Sequence, residues 1–119
     1  MRIVLALPPK ELRPNSRACW QAVARAKASY RHYAAILARE ALRGAPPPRW
    51  SHAVARATYY QPSTRRMDAD NALATLKSLF DGLQDAGIVA NDRHLTHAPV
   101  LQYTDRKNPR VEIEIEGEA

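Results

Sequence analysis

Short runs of alternating hydrophobicity along the chain are separated by two longer runs of helical periodicity. Residues 2–7 (Arg-Ile-Val-Leu-Ala-Leu) are β-prone and stopped by Pro8-Pro9, which predicts a first strand. From Ser16 or Arg17 to Arg43 the chain is alanine-rich and free of Gly and Pro, and it closes at Gly44 before three prolines. A helix is expected there, with Trp20, Val23, Tyr30, Ala34, Leu37 and Ala41 on its packed face. Residues 52–60 alternate, with Ala53, Ala55, Ala57 and Tyr59 sharing one face, and Gln61-Pro62-Ser63 ends or bulges that second strand. From Asn71 onward Leu73, Leu76, Leu79, Phe80 and Leu83 form one stripe. They predict a second helix, capped by Asp68 or Asp70 and closed by Gly87 in the left-handed conformation. Residues 99–103 and 110–116 read as two strands paired with each other, and in the latter Val111, Ile113 and Ile115 alternate with Glu112, Glu114 and Glu116. The predicted order is β-α-β-α-β-β. This is an α+β fold: a mixed sheet of about four strands packed against two helices, in a single domain over residues 1–119.

At 119 residues the core is small, and surface shared with a second copy would help it. No run approaches the roughly 20 apolar residues of a membrane span, and the first nine residues are too short for a signal peptide, so no membrane partner is expected. A lone cysteine, Cys19, excludes an internal disulfide and suits a reducing cytoplasm. Charge is unevenly spread. Residues 1–66 hold 13 Lys/Arg against 2 Asp/Glu, or +11; residues 67–119 hold 5 against 10, or −5. Such a division fits a basic lobe for a polyanion and an acidic pocket for a metal, or merely an acidic tail.

The candidate chemistry lies at the junction of the two halves, in Arg65-Arg66-Met67-Asp68-Ala69-Asp70-Asn71. Two carboxylates two residues apart leave the same edge of an extended segment and repel unless a cation intervenes. Magnesium takes one to three carboxylates with water and phosphate oxygens, and Asp92 would complete the set if the loop after the helix returns. Lys77, seven residues beyond Asp70, falls on the same helix side, and its ammonium would stabilise charge on a phosphate. Read one at a time, Asp70 is a helix cap, Asp68 a turn residue and Lys77 a solvated flank. An EF-hand is excluded, because Leu73 and Leu79 stand where it needs Gly and Glu. His94 and His97 have no cysteine pair to make a zinc site, and no phosphate-binding glycine loop or nucleophile elbow occurs.

These residues resemble the RusA-type Holliday-junction resolvases. The resemblance is carried by Arg66-Met67-Asp68-Ala69-Asp70-Asn71, Leu76-Lys77, Asp81-Gly82-Leu83, Ala86-Gly87-Ile88-Val89 and Asn91-Asp92. Leu7-Pro8-Pro9, Pro14-Asn15, Arg17, Trp20 and Tyr30-Arg31 resemble the family's opening. Some members place the lysine one turn nearer the Asp-Asn, and members often have two aspartates where this chain has Asn91-Asp92. The resemblance implies a homodimer that binds four-way DNA junctions and nicks two strands symmetrically with Mg2+. It implies Asp68, Asp70 and Asp92 as metal ligands and Lys77 as the catalytic lysine. Lys10, Arg13, Arg17, Arg65, Arg66 and Asn71 are the expected DNA contacts, the cations meeting backbone phosphates without reading bases. The rival expectation is a basic nucleic-acid-binding module without catalysis.

Overall fold

A computed structural model describes residues 1–118, except for the side chain of Asp92. It contains β1 (Arg2–Leu5), α1 (Trp20–Ala41), β2 (His52–Gln61), α2 (Ala69–Ala74), α3 (Lys77–Asp85), β3 (Leu95–His97), β4 (Leu101–Thr104) and β5 (Arg110–Glu118). Single 3-10 turns occupy Lys10–Leu12 and Asp92–His94. The fold is α+β, a mixed five-stranded sheet with its helices packed on one face.

Long β2 is the axis of the sheet. β5 pairs with it antiparallel from His52↔Glu118 to Tyr60↔Arg110, and β1 lies antiparallel beyond β5. Along its other edge β3 and β4 run parallel to β2, Ala55 facing His97 and Thr58 facing Leu101. One extra residue in the interval 98–100 therefore interrupts what is otherwise one strand. β4 and β5 flank β2 instead of pairing with each other, contrary to the sequence expectation. β2 ends just before Pro62, so the connection at 105–109 rounds its end, where Asp105 N–H donates to the Gln61 carbonyl at 2.8 Å. Alternation in the strands makes the core. Ile3, Leu5, Ala53, Ala55, Ala57, Tyr59, Val111, Ile113 and Ile115 all face the helices and are buried.

The second helical segment is broken. Thr75 Oγ1 donates to the Asn71 carbonyl at 2.7 Å, a back-bond that bends helices. The Leu76 N–H turns to Leu73 O, and α3 starts afresh at Lys77. Leu76, Leu79 and Leu83 still all reach the core. α3 closes as the sequence predicts: Gly87 has φ +80°, its N–H meets Gln84 O, and Ile88 N–H meets Leu83 O.

α1 packs on α3 through small residues, Ala34 and Ala35 against Gly82. Its first turns do not pack as expected: Trp20 is 76% exposed, and the buried positions are Tyr30, Ala34, Ala35 and Ala38. The cause is length, since 9 residues of α3 cannot cover 22 of α1. The acidic run of β5 borders a pocket of about 560 Å³, where Glu114, Glu116 and Glu118 face His52, Arg56 and Thr96. Its glutamates alternate along the outer face of the sheet, where Glu112 is held by Arg2 at 2.5 Å and by Arg110 at 2.6 Å.

A side chain at Gly82 would run into the Arg31 carbonyl and Ala34. Gly82→Ala is expected to cost about 1–3 kcal/mol, read from the urea midpoint. Arg31 also forks onto Asp85 at 2.6 and 2.8 Å, and this hydrogen bonding holds the Asp85 carboxyl below its ordinary value. A carboxyl depressed in the fold stabilises it above the unfolded pKa, and that contribution is lost as pH falls through the folded value. Asp85→Asn should therefore flatten the fall in thermal midpoint on acidification below about pH 4.

Candidate nucleic-acid and metal site

Two clamps fix the segment between β2 and α2. The Gln102 side chain accepts from Met67 N–H at 2.9 Å and donates to the Met67 carbonyl at 2.8 Å, tying the segment to β4. The Tyr59 hydroxyl donates to the Ala72 carbonyl at 2.7 Å, tying α2 to β2. An unbroken helix would have given that carbonyl to Leu76. Burial raises the Tyr59 hydroxyl far above its ordinary pKa, against an opposing pull from Arg13, so it serves as a donor.

Between these clamps and the Leu7–Asn15 segment lies a cleft of about 580 Å³. The start of that segment is tied to α1 at Ala6, whose carbonyl accepts from Tyr30 and whose N–H donates to the Tyr33 hydroxyl. Of the residues singled out in the sequence, Arg13, Arg65, Arg66, Asp68 and Asn71 line this cleft. Lys10 and Arg17 line a shallower groove that shares Arg13 and Asn15 with it, so the five cations form a continuous basic margin. Asp68 is the residue before α2, and Asp70 is in its first turn. Both are exposed, and among the described residues neither carboxylate makes a hydrogen bond or ion pair. Arg66 is engaged elsewhere, donating to Ser63 O, Arg65 O and Thr104 Oγ1.

Lys77 stands apart from the cleft. It borders a neighbouring groove with Lys27 and Arg31, which meets the cleft at Thr75, and it pairs with Asp81 at 2.5 Å. The helix break explains this, because Lys77 opens α3 and does not continue α2. The Asp92 side chain lies outside the described residues. β3, which follows its turn, runs beside Ala53–Ala55 of β2. Among the described residues no three His, Cys, Asp or Glu side chains gather as a metal site.

Sequence reasoning missed Gln61. It takes the fifth inward-facing position of β2, is 7% exposed, and lines the cleft. Its Oε1 is buried and meets no donor among the described residues, a deficit of about 1–3 kcal/mol. The alternation of β2 was the available signal, since a polar residue follows four apolar ones in the inward phase.

The profile of the RusA endodeoxyribonucleases matches residues 10–116. The chain belongs to the RusA endodeoxyribonuclease family. An uncharacterized protein of Xylella fastidiosa (strain Temecula1 / ATCC 700964) is 32% identical over 116 residues, covering 97% of this chain and 75% of the relative. The solved periplasmic domain of Helicobacter pylori MotB aligns over 98% of this chain and 81% of that one, at 22% identity and a TM-score of 0.41. A likeness that slight bears on neither fold nor function. Family membership makes DNA the substrate class and strand cleavage the reaction. Among the described residues no helix is long and apolar enough to cross a membrane.

If the Tyr59 hydroxyl holds α2 in place, Tyr59→Phe leaves the buried Ala72 carbonyl unmet. It is expected to lower stability by about 1–3 kcal/mol in urea unfolding, with little change in the sheet's circular dichroism.

Proposed function

We propose that this RusA-family chain is a magnesium-dependent endonuclease that resolves four-way DNA junctions in the cytoplasm, a homodimer nicking two strands symmetrically. The observation that carries the reading is a pair of carboxylates, Asp68 and Asp70, with no partner among the described residues, beside a cleft margined by Lys10, Arg13, Arg17, Arg65 and Arg66. A module that only binds DNA has no use for two free acids next to a phosphate path. The donor set suits magnesium, since both groups are hard oxygen ligands, exposed and uncommitted.

Asp68 and Asp70 would hold the ion, and Asp92, the motif's third aspartate, would complete its ligands. When bound, magnesium polarises the scissile phosphate and lowers the pKa of a bound water. The arginines and Lys10 would hold backbone phosphates on either side of the scissile one, with Asn71 donating its amide to a phosphate oxygen. Lys77 would offset charge developing on the phosphate in the transition state. Two such sites related by a two-fold axis match two strands of a junction.

The test is cleavage of a labelled four-way junction with magnesium and with EDTA, for the wild type and for Asp70→Asn. The variant should cut at least about a hundredfold more slowly while binding the junction as before. Its magnesium heat in calorimetry should vanish, and its stability without metal should hold or rise, because a like-charge repulsion is gone. Full cleavage by Asp70→Asn would end the assignment.

A further inference from the structure

α1 carries one straight stripe, Trp20, Ala24, Lys27, Arg31, Ala34 and Ala38, spaced alternately four and three residues apart. Beside α3 the stripe is small and buried, at Ala34 and Ala38, and Arg31 forks onto Asp85. Its first half lies beyond the reach of α3. There a groove of about 680 Å³ runs between α1 and the α2–α3 break, with Lys27 and Ala28 on one wall and Ala74, Thr75 and Lys77 on the other. It shares Thr75 with the cleft beside α2, so the two are continuous. Lys27 is exposed, and among the described residues it makes no hydrogen bond or ion pair. Trp20 stands two turns before it on the same stripe, about 10 Å along the axis. Helical side chains lean toward the N-terminus, so the Lys27 ammonium reaches toward the indole. On the other side, the basic groove of Lys10, Arg13 and Arg17 ends at Ala18, two residues before Trp20. An indole 76% exposed between two cationic grooves has flat apolar faces with nothing on them. The cations suit an anion and the faces suit a second flat ring; nucleic acid offers both. A second copy of the chain, docked about a two-fold axis here, would bring these cations against themselves. Phosphate contacts alone do not tell branched DNA from duplex. Inside a duplex each base face is covered by its neighbour, and at a branch point the stack is interrupted.

Taking DNA cleavage at the α2 cleft as the starting point, we propose that Trp20 stacks on a base face laid bare at the branch point of the DNA. Lys27 holds the phosphate chain that runs from that base toward the cleft. The contact selects branched over unbroken duplex DNA at binding, before any strand is cut, and it accepts any base, since every base has such a face.

Binding is measured by fluorescence anisotropy in EDTA, on a four-way junction and on a duplex of matching sequence. Trp20→Ala should lose about tenfold in affinity for the junction and keep its affinity for the duplex. Trp20→Phe should restore junction binding. The junction should quench wild-type tryptophan emission by an amount that Trp20→Phe lacks. Lys27→Ala should flatten the salt dependence of junction binding by about one in the log–log slope. Because both side chains are exposed, the variants should keep the wild-type thermal midpoint. Unchanged junction affinity in Trp20→Ala overturns the proposal, as does an equal loss on duplex, quenching that Trp20→Phe keeps in full, or an unchanged slope in Lys27→Ala. A Trp20→Ala protein that sediments as a smaller species than wild type overturns it too, because the indole then belongs to a contact between copies. Junction binding that depends on Trp20, in a protein that never cuts with magnesium, would sink the nuclease reading and leave the stacking contact standing; cutting with Trp20-independent binding does the reverse.

Discussion

The hydrogen bond from the Tyr59 hydroxyl to the Ala72 carbonyl is the tie on which the cleft depends. It joins the central strand to a six-residue helix that has little core contact of its own, with Ala72 as its one buried residue. The tie is possible because the helix breaks at Thr75-Leu76, which frees the carbonyl that a continuous helix would consume. The break separates two tasks. α2 stays against the end of β2 and presents Asp68, Asp70 and Asn71. α3 takes its own direction, seats Leu79 and Leu83 in the core and packs Gly82 on α1. A straight helix would have to meet both demands along one axis.

What could be read from the sequence follows from what pattern encodes. β5 and β2 were legible because strict alternation maps onto one buried face, and Ile113 and Ala55 sit where it puts them. Gly87 was legible because a positive φ selects glycine. The pairing of β4 was not, since alternation fixes which face a strand buries but not which neighbour it chooses. The apolar stripe from Leu73 to Leu83 runs on through the break, so it could not mark Thr75-Leu76, whose cause is one hydroxyl back-bond. Trp20 misled for a different reason: helical spacing says which residues share a face, not whether another element is long enough to cover it. At the site, the Asp68–Asn71 segment and its arginines were legible as neighbours in sequence. The landing of the turn after α3 was not, because it depends on the register of β3 against β2.

The charge division of the chain has two separate physical origins. Much of the excess of acid in the second half is structural, placed on β5 opposite basic strands, with Glu112 shared between Arg2 and Arg110. The acids at α2 are of another kind. Arg65 and Arg66 are adjacent in sequence, yet the Arg66 guanidinium is spent on Ser63, Arg65 and Thr104. The arginine is positioned by its neighbours, and among the described residues neither Asp68 nor Asp70 pairs with it. Direct ion pairs would have cancelled both.

The cleft therefore sorts its hydrogen-bonding character by depth. Cations stand at the margin, where solvent screens repulsion among them. Gln61 is buried at the floor, and its Oε1 meets no donor among the described residues. Placing a buried acceptor there costs stability in the free protein, and apolar residues fill the four preceding inward positions of the same strand.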